Sequence, residues 1–168
     1  TNVTGSNNIA VGTSSLYNCT GGNNTAVGHG SLSANTSAAN NVAVGYNALN
    51  DNTTGTQNVA VGALAGDALT DADYNVVMGY QALTTDTTGS RSVAIGFESL
   101  KTQNFTGGTD SGNTAIGNRT GALLTTGTDN TLIGSYAGDA ITTSVSNTAV
   151  GRSSLSATTT GDENSAVG

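Results

Sequence analysis

Asn41-Val42-Ala43-Val44-Gly45 is followed seventeen residues later by Asn58-Val59-Ala60-Val61-Gly62. The same pattern runs through the whole chain, closing at Gly12, Gly28, Gly45, Gly62, Gly79, Gly96, Gly117, Gly134, Gly151 and Gly168. The gaps are 16, 17, 17, 17, 17, 21, 17, 17 and 17 residues. A fixed period of this length marks a repeat architecture in which each unit buries its apolar face only against its neighbours. The column just before the glycine is Val11, Val27, Val44, Val61, Met78, Ile95, Ile116, Ile133, Val150 and Val167. It is always large and mostly β-branched, as strands favour. The column before that is Ala except for Val77 and Leu132, and the motif opens with Asn except at Ser92.

Period-2 alternation places Asn, Ala and Gly on one strand face and the bulky column on the other. The bulky column is read as the inward repeat core, so Val61→Asp is expected to split the array. The Ala/Gly face is then free for close approach to other chains. A second apolar element follows each glycine. Leu16, Leu32, Leu49, Leu83, Leu100 and Leu155 stand four residues on, whereas three coils place Gly66, Gly121 and Gly138 there and Leu69, Leu124 and Ile141 three further. Each coil reads as strand, tight turn, strand, tight turn. The fold expected is an all-β parallel β-solenoid of about ten 17-residue coils, one array over 1–168. The 21-residue gap is read as one coil with a loop protruding around Gln103 to Ser111.

Composition fits such a rod and excludes much else. Gly (24), Thr (29) and Asn (20) make up 73 of 168 residues, with no Trp and no Pro. The charged fraction is 9% and the net charge −7, with the four basic residues scattered, so no nucleic-acid partner is expected. No apolar run approaches the ~20 residues that span a bilayer, and no membrane insertion of this segment is expected. Two large apolar side chains per coil fill a thin two-strand coil poorly, so an oligomer is expected. The chain lacks an initiator Met and begins and ends mid-array, and reads as an excerpt of a longer protein.

The signatures Asn24 to Gly28, Asn113 to Gly117 and Asn147 to Gly151, with Tyr46-Asn47-Ala48-Leu49 and Tyr80-Gln81-Ala82-Leu83 after two of the glycines, resemble YadA-type head repeats. Those occur in trimeric autotransporter adhesins, and similar arrays occur in phage tail-fibre proteins. The resemblance covers essentially the whole chain. It implies a left-handed β-roll and a homotrimer about one axis. It also implies a structural or adhesive fibre, extracellular, on a virion or a cell surface. The 17-residue period exceeds that of the adhesin head and favours the fibre branch.

Catalytic chemistry is hard to assemble. His29 is the single histidine and Cys19 the single cysteine, so neither a His-based triad nor a Cys-rich metal site forms within one chain. Three copies of His29 on an axis are a conceivable metal site, but it occupies a variable position. Cys19 lies in a turn tract and is read as a surface thiol. Asp67, Asp71 and Asp73 form the densest acidic cluster, and the carboxylates share no column. No enzyme, cofactor or metal site is expected.

The column after the glycine carries His29, Tyr46, Ala63, Tyr80 and Phe97 in consecutive coils, a partial aromatic stripe suited to a glycan or receptor. Packing against neighbouring coils or chains is the competing reading. An ice-binding β-solenoid is the alternative function. The column three before the glycine, which mixes Thr25, Thr114, Thr131 and Thr148 with Val and Ile, lacks the paired Thr columns that function would favour. A carbohydrate-degrading fibre is a more distant alternative.

Overall fold

A computed structural model of the chain describes residues 4–168. Ten three-residue strands form one parallel sheet in sequence order: β1 Ile9–Val11, β2 Thr25–Val27, β3 Val42–Val44, β4 Val59–Val61, β5 Val76–Met78, β6 Val93–Ile95, β7 Thr114–Ile116, β8 Thr131–Ile133, β9 Thr148–Val150 and β10 Ser165–Val167. Every strand pairs in register with the same column of the next, as in Val42↔Val59 and Val44↔Val61. The molecule is a parallel β-solenoid of nine turns. With strands about 4.8 Å apart, the sheet extends roughly 43 Å.

The second strand expected in each coil is not formed. Leu16, Leu32, Leu49, Leu83, Leu100 and Leu155 instead sit in turns with φ between 45° and 53°. An L-residue there pays roughly 1–2 kcal/mol, and burial of the leucine offsets it: five of the six are fully buried. Hydrogen bonds from coil to coil continue through this turn, for example Leu32 N–H to Ala48 O (3.1 Å) and Leu49 N–H to Ala65 O (3.1 Å).

The signature glycine has two reasons to be glycine. Its φ lies between 124° and 141° in all ten coils, a region closed to side-chain-bearing residues. A methyl group at Gly45 would also lie 2.4 Å from the Gly62 carbonyl oxygen. Stacking at strand spacing leaves no room for a Cβ.

Inside and outside are reversed from the sequence expectation. In the eight inner strands the middle residue is fully buried: Ala26, Ala43, Ala60, Val77, Ala94, Ala115, Leu132 and Ala149. The column from Val11 to Val167 faces outward, with Val11 56%, Met78 41%, Ile133 38% and Val167 83% exposed. A 17-residue coil closed by left-handed turns has a narrow interior. Ala and Asn fit where the strand passes, and the one bulky side chain per coil enters from the turn.

The two coil types show how that space is shared. Where Leu stands four residues after the glycine, the residue three further on is polar or Cys19; where Gly stands there, Leu69, Leu124 or Ile141 replaces it. A methyl at Gly66 would meet Leu69 Cδ1 at 3.0 Å and Leu49 Cδ2 at 3.3 Å, so one leucine fills the same volume from either end of the turn. Cys19 belongs to this inward column. It is buried, not a surface thiol, with its Sγ 3.2 Å from Gly21 O and 3.4 Å from Asn35 Oδ1. Desolvation raises its thiol pKa.

The motif asparagines form a buried ladder. Each Oδ1 accepts the backbone N–H of the next asparagine, at 2.9 Å for Asn24 to Asn41 and 2.8 Å for Asn41 to Asn58. From Asn24 to Asn130 the side-chain amides of the ladder donate to a carbonyl fourteen residues on, as Asn41 to Gly55 (2.9 Å) and Asn58 to Ala72 (2.6 Å). Buried amides are tolerated because their polar atoms find partners.

The expected protruding loop is part core and part surface. Gln103 and Ser111 are fully buried and Phe105 nearly so, while Thr106, Gly107, Gly108 and Asp110 are exposed. Ser92 breaks the asparagine ladder, and Gln103 spans the gap. Its Nε2 donates to Ser92 Oγ (2.8 Å) and Asp86 Oδ2 (2.7 Å), and its Oε1 accepts from Asn113 Nδ2 (2.9 Å).

Candidate interaction surface

The outward side of the sheet carries two residues per strand, twenty in all, and none is charged. Fifteen are Val, Ile or Met, and the rest are Thr or Ser. The chain bears eleven carboxylates, so their complete absence from this face is a property of the face. An outward apolar strip of this length is a candidate interaction surface.

Beside it runs the column after the glycine. His29 and Tyr46 stack with ring centroids 5.5 Å apart and planes at 18°, and Tyr80 and Phe97 at 5.7 Å and 16°. Both spacings fall within the range of attractive aromatic pairs. Tyr46, Tyr80 and Phe97 are about half exposed. The rings are thus brought together as two stacked pairs, separated by Ala63. Their backbone is tightly registered: Asn47 N–H donates to His29 O (2.9 Å), Leu64 to Tyr46 O (2.9 Å), Gln81 to Ala63 O (3.2 Å) and Glu98 to Tyr80 O (3.0 Å).

On the other edge of the sheet the residue before the motif asparagine forms a further stripe that the sequence reading passed over. Asn7 Nδ2 donates to Asn23 Oδ1 (3.1 Å) and Asn23 Nδ2 to Asn40 Oδ1 (3.2 Å). Farther along the same column the Arg91 guanidinium lies 5.1 Å from the Tyr74 ring centroid, and its Nε 2.9 Å from Asp110 Oδ2. Reading that column down the repeat, as for the aromatics, would have found it.

A threonine column was also missed. Thr20, Thr36, Thr53, Thr70, Thr87, Thr125, Thr142 and Thr159 stand eight residues after their glycines, interrupted by Asn104. Their hydroxyls donate up the stack, as Thr36 to Thr53 O (3.0 Å) and Thr70 to Thr87 O (3.0 Å). These hydroxyl protons are used to hold coils together.

The acidic cluster is dispersed among separate partners. Asp67 accepts from Thr84 Oγ1, Asp71 from Thr54 Oγ1 (2.6 Å) and Asp73 from the Thr56 backbone and hydroxyl (2.6 and 2.8 Å). Desolvation by partial burial holds the Asp67 carboxyl above the usual range. Among the described residues no three His, Cys, Asp or Glu side chains are grouped to hold a metal ion. His29, the other metal candidate, is an exposed ring stacked on Tyr46. Among the described residues no helix is long and apolar enough to cross a membrane. Compared with family models, curated proteins and solved structures, the chain matches none.

Proposed function

We propose that this chain is a segment of an extracellular structural and adhesive fibre. It would assemble as a homotrimer through the outward sheet face and present its remaining surface for attachment to a host cell or receptor. The observation that carries this reading is the uncharged apolar ladder along all ten strands of an acidic chain. A partner that touches every coil must repeat at about 4.8 Å along the same axis. A second copy of this chain does so by construction. Three chains, and a virion or cell-surface setting, follow from the resemblance to trimeric fibre repeats. The work is mechanical, and it needs no catalytic residue or cofactor.

The reversed orientation of the strand changes the diagnostic experiment. Val61 faces outward and is half-buried, so Val61→Asp leaves the single coil intact and places a charge in the interchain seam. Sedimentation with cross-linking is expected to give three chains for the parent and fewer for the variant, with the sheet still formed. A parent that sediments as a folded monomer would overturn the assembly. The ice-binding alternative draws on the regular threonine column and on Thr25, Thr114, Thr131 and Thr148 on the sheet face. It requires thermal hysteresis in freezing assays, which the fibre reading does not.

A further inference from the structure

The interruption of the aromatic stripe has the dimensions of a binding site. Tyr46 and Tyr80 stand on either side of Ala63, two coil steps apart, which places their rings on the order of 10 Å from each other. Within each stacked pair the rings lie 5.5 and 5.7 Å apart. One six-membered ring inserted over Ala63 would therefore sit about 5 Å from each tyrosine, in the same stacking range as the pairs themselves. His29 backs Tyr46 and Phe97 backs Tyr80, so each wall is supported from behind. The carbonyls of Tyr46, Ala63 and Tyr80 are all held by the following coil. The slot exists before any ligand arrives, which lowers the ordering cost of binding.

We propose that Tyr46 and Tyr80 clamp a single uncharged pyranose ring over Ala63. The surroundings select its chemistry. From His29 to Gln81 the stripe and the residues following it (Gly30, Asn47, Leu64, Gln81) carry no carboxylate, Lys or Arg. The first charge, Glu98, is paired with Lys101 (2.6 Å) and Arg119 (3.6 Å) beyond the Tyr80 wall. An anionic sugar or a phosphate finds no cation among the stripe residues that flank Ala63. Two aromatic walls require a ring that offers C–H groups on both faces. A β-gluco-configured pyranose does so, because all its hydroxyls are equatorial. A galacto-configured ring turns one hydroxyl axial and loses one face. The proposal rests on the reading of the stripe as a surface left open in the assembled fibre.

The test is a titration of the assembled protein with methyl β-D-glucopyranoside and methyl β-D-galactopyranoside, followed by tyrosine ring shifts in NMR. The expected result is saturable binding of the glucoside in the millimolar range, with the galactoside roughly tenfold weaker. Ala63→Tyr completes the ladder with the residue that neighbouring coils already carry at this position. It should abolish binding while leaving the melting temperature unchanged or raised. Tyr46→Ala and Tyr80→Ala should each weaken binding about tenfold or more. No saturation by ~50 mM, equal affinity for the two sugars, or undiminished binding by Ala63→Tyr would overturn the slot. A trimer that fails to bind sinks the slot and leaves the fibre reading standing. A monomer that binds does the reverse.

Discussion

The coils on either side of residues 86–113 and the coil within them solve the same problem by different means. In the regular coils, polar atoms in the core are satisfied by one asparagine per turn, which bonds chiefly to its own column and to a carbonyl of the following coil, as at Asn41 and Asn58. At Ser92 that ladder lacks its side-chain amide. Asp86, Gln103 and Ser111 fill the gap from three different parts of the sequence. Asp86 Oδ1 accepts the N–H groups of Gly89 and Phe105, both at 3.0 Å, while Oδ2 takes Gln103. The regular solution is local and repeatable. The irregular one is a network in which every member depends on the others, so deletions within it are costly.

The same contrast appears in the glycines, and it orders the expected effects of substitution. Gly62→Val forces a side chain onto φ of 138° and against the Gly79 carbonyl oxygen, 2.6 Å from the added Cβ. It should cost more than about 4 kcal/mol and unfold the chain locally, measured as loss of the cooperative thermal transition. Next comes Asp86→Ala, which leaves two buried backbone donors and one N–H of the Gln103 amide unpaired, its other N–H still bonded to Ser92. A loss of about 3 kcal/mol in chemical denaturation is expected. A cost below about 1 kcal/mol would show that the irregular coil is not held by this network.

A third substitution converts one regular coil type into the other. Asn52 is fully buried and neither of its amide atoms has a hydrogen-bond partner. Leu49→Gly with Asn52→Leu copies the arrangement of Gly66 and Leu69 in the next coil, and it relieves the left-handed conformation of Leu49 (φ 48°). The double variant should lie within about 1 kcal/mol of the parent, whereas Asn52→Leu alone should overpack the coil and lose about 1–3 kcal/mol. Comparing the two melting temperatures separates shared core volume from a merely tolerant interior.

Asp67 gives a smaller and pH-dependent effect. Its carboxyl is held above the usual range by desolvation, so the folded chain favours the protonated form. Any stability this contributes is present below the ordinary carboxylate pKa and lost as pH rises through the folded one. Asp67→Asn should therefore raise the urea midpoint slightly at neutral pH and leave it unchanged in acid. A drop at neutral pH would mean that the bond from Thr84 outweighs desolvation. The smallest effect is expected at the tip of the irregular coil. Gly107→Ala meets open space and should change stability by less than about 0.5 kcal/mol.

Much of this architecture is legible in the chain as written. The glycine period establishes the solenoid and the number of strands. The gap of 21 residues locates the irregular coil, and the exchange of Leu for Gly after the signature separates two coil types. The aromatic column is legible too, including its break at Ala63. Ser92, the one exception in the asparagine column, already marks where Gln103 must enter, but its replacement comes from eleven residues away and only the folded chain brings them together.

What the sequence could not decide is which side of the strand is the interior. Alternation in Val42-Ala43-Val44 distinguishes two faces without labelling them, and the apolar residue is ordinarily the buried one. The label depends on the width of the coil, set by where the chain turns back. Left-handed turns at Leu32 and Leu49 (φ 50° and 48°) bring those leucines across the interior, leaving room for Ala43 and Asn41 opposite them and none for Val42 or Val44. That closure is a property of the whole turn. It moves the valines to the surface, buries Cys19, and turns a column that reads as core into the outward face through which we propose assembly.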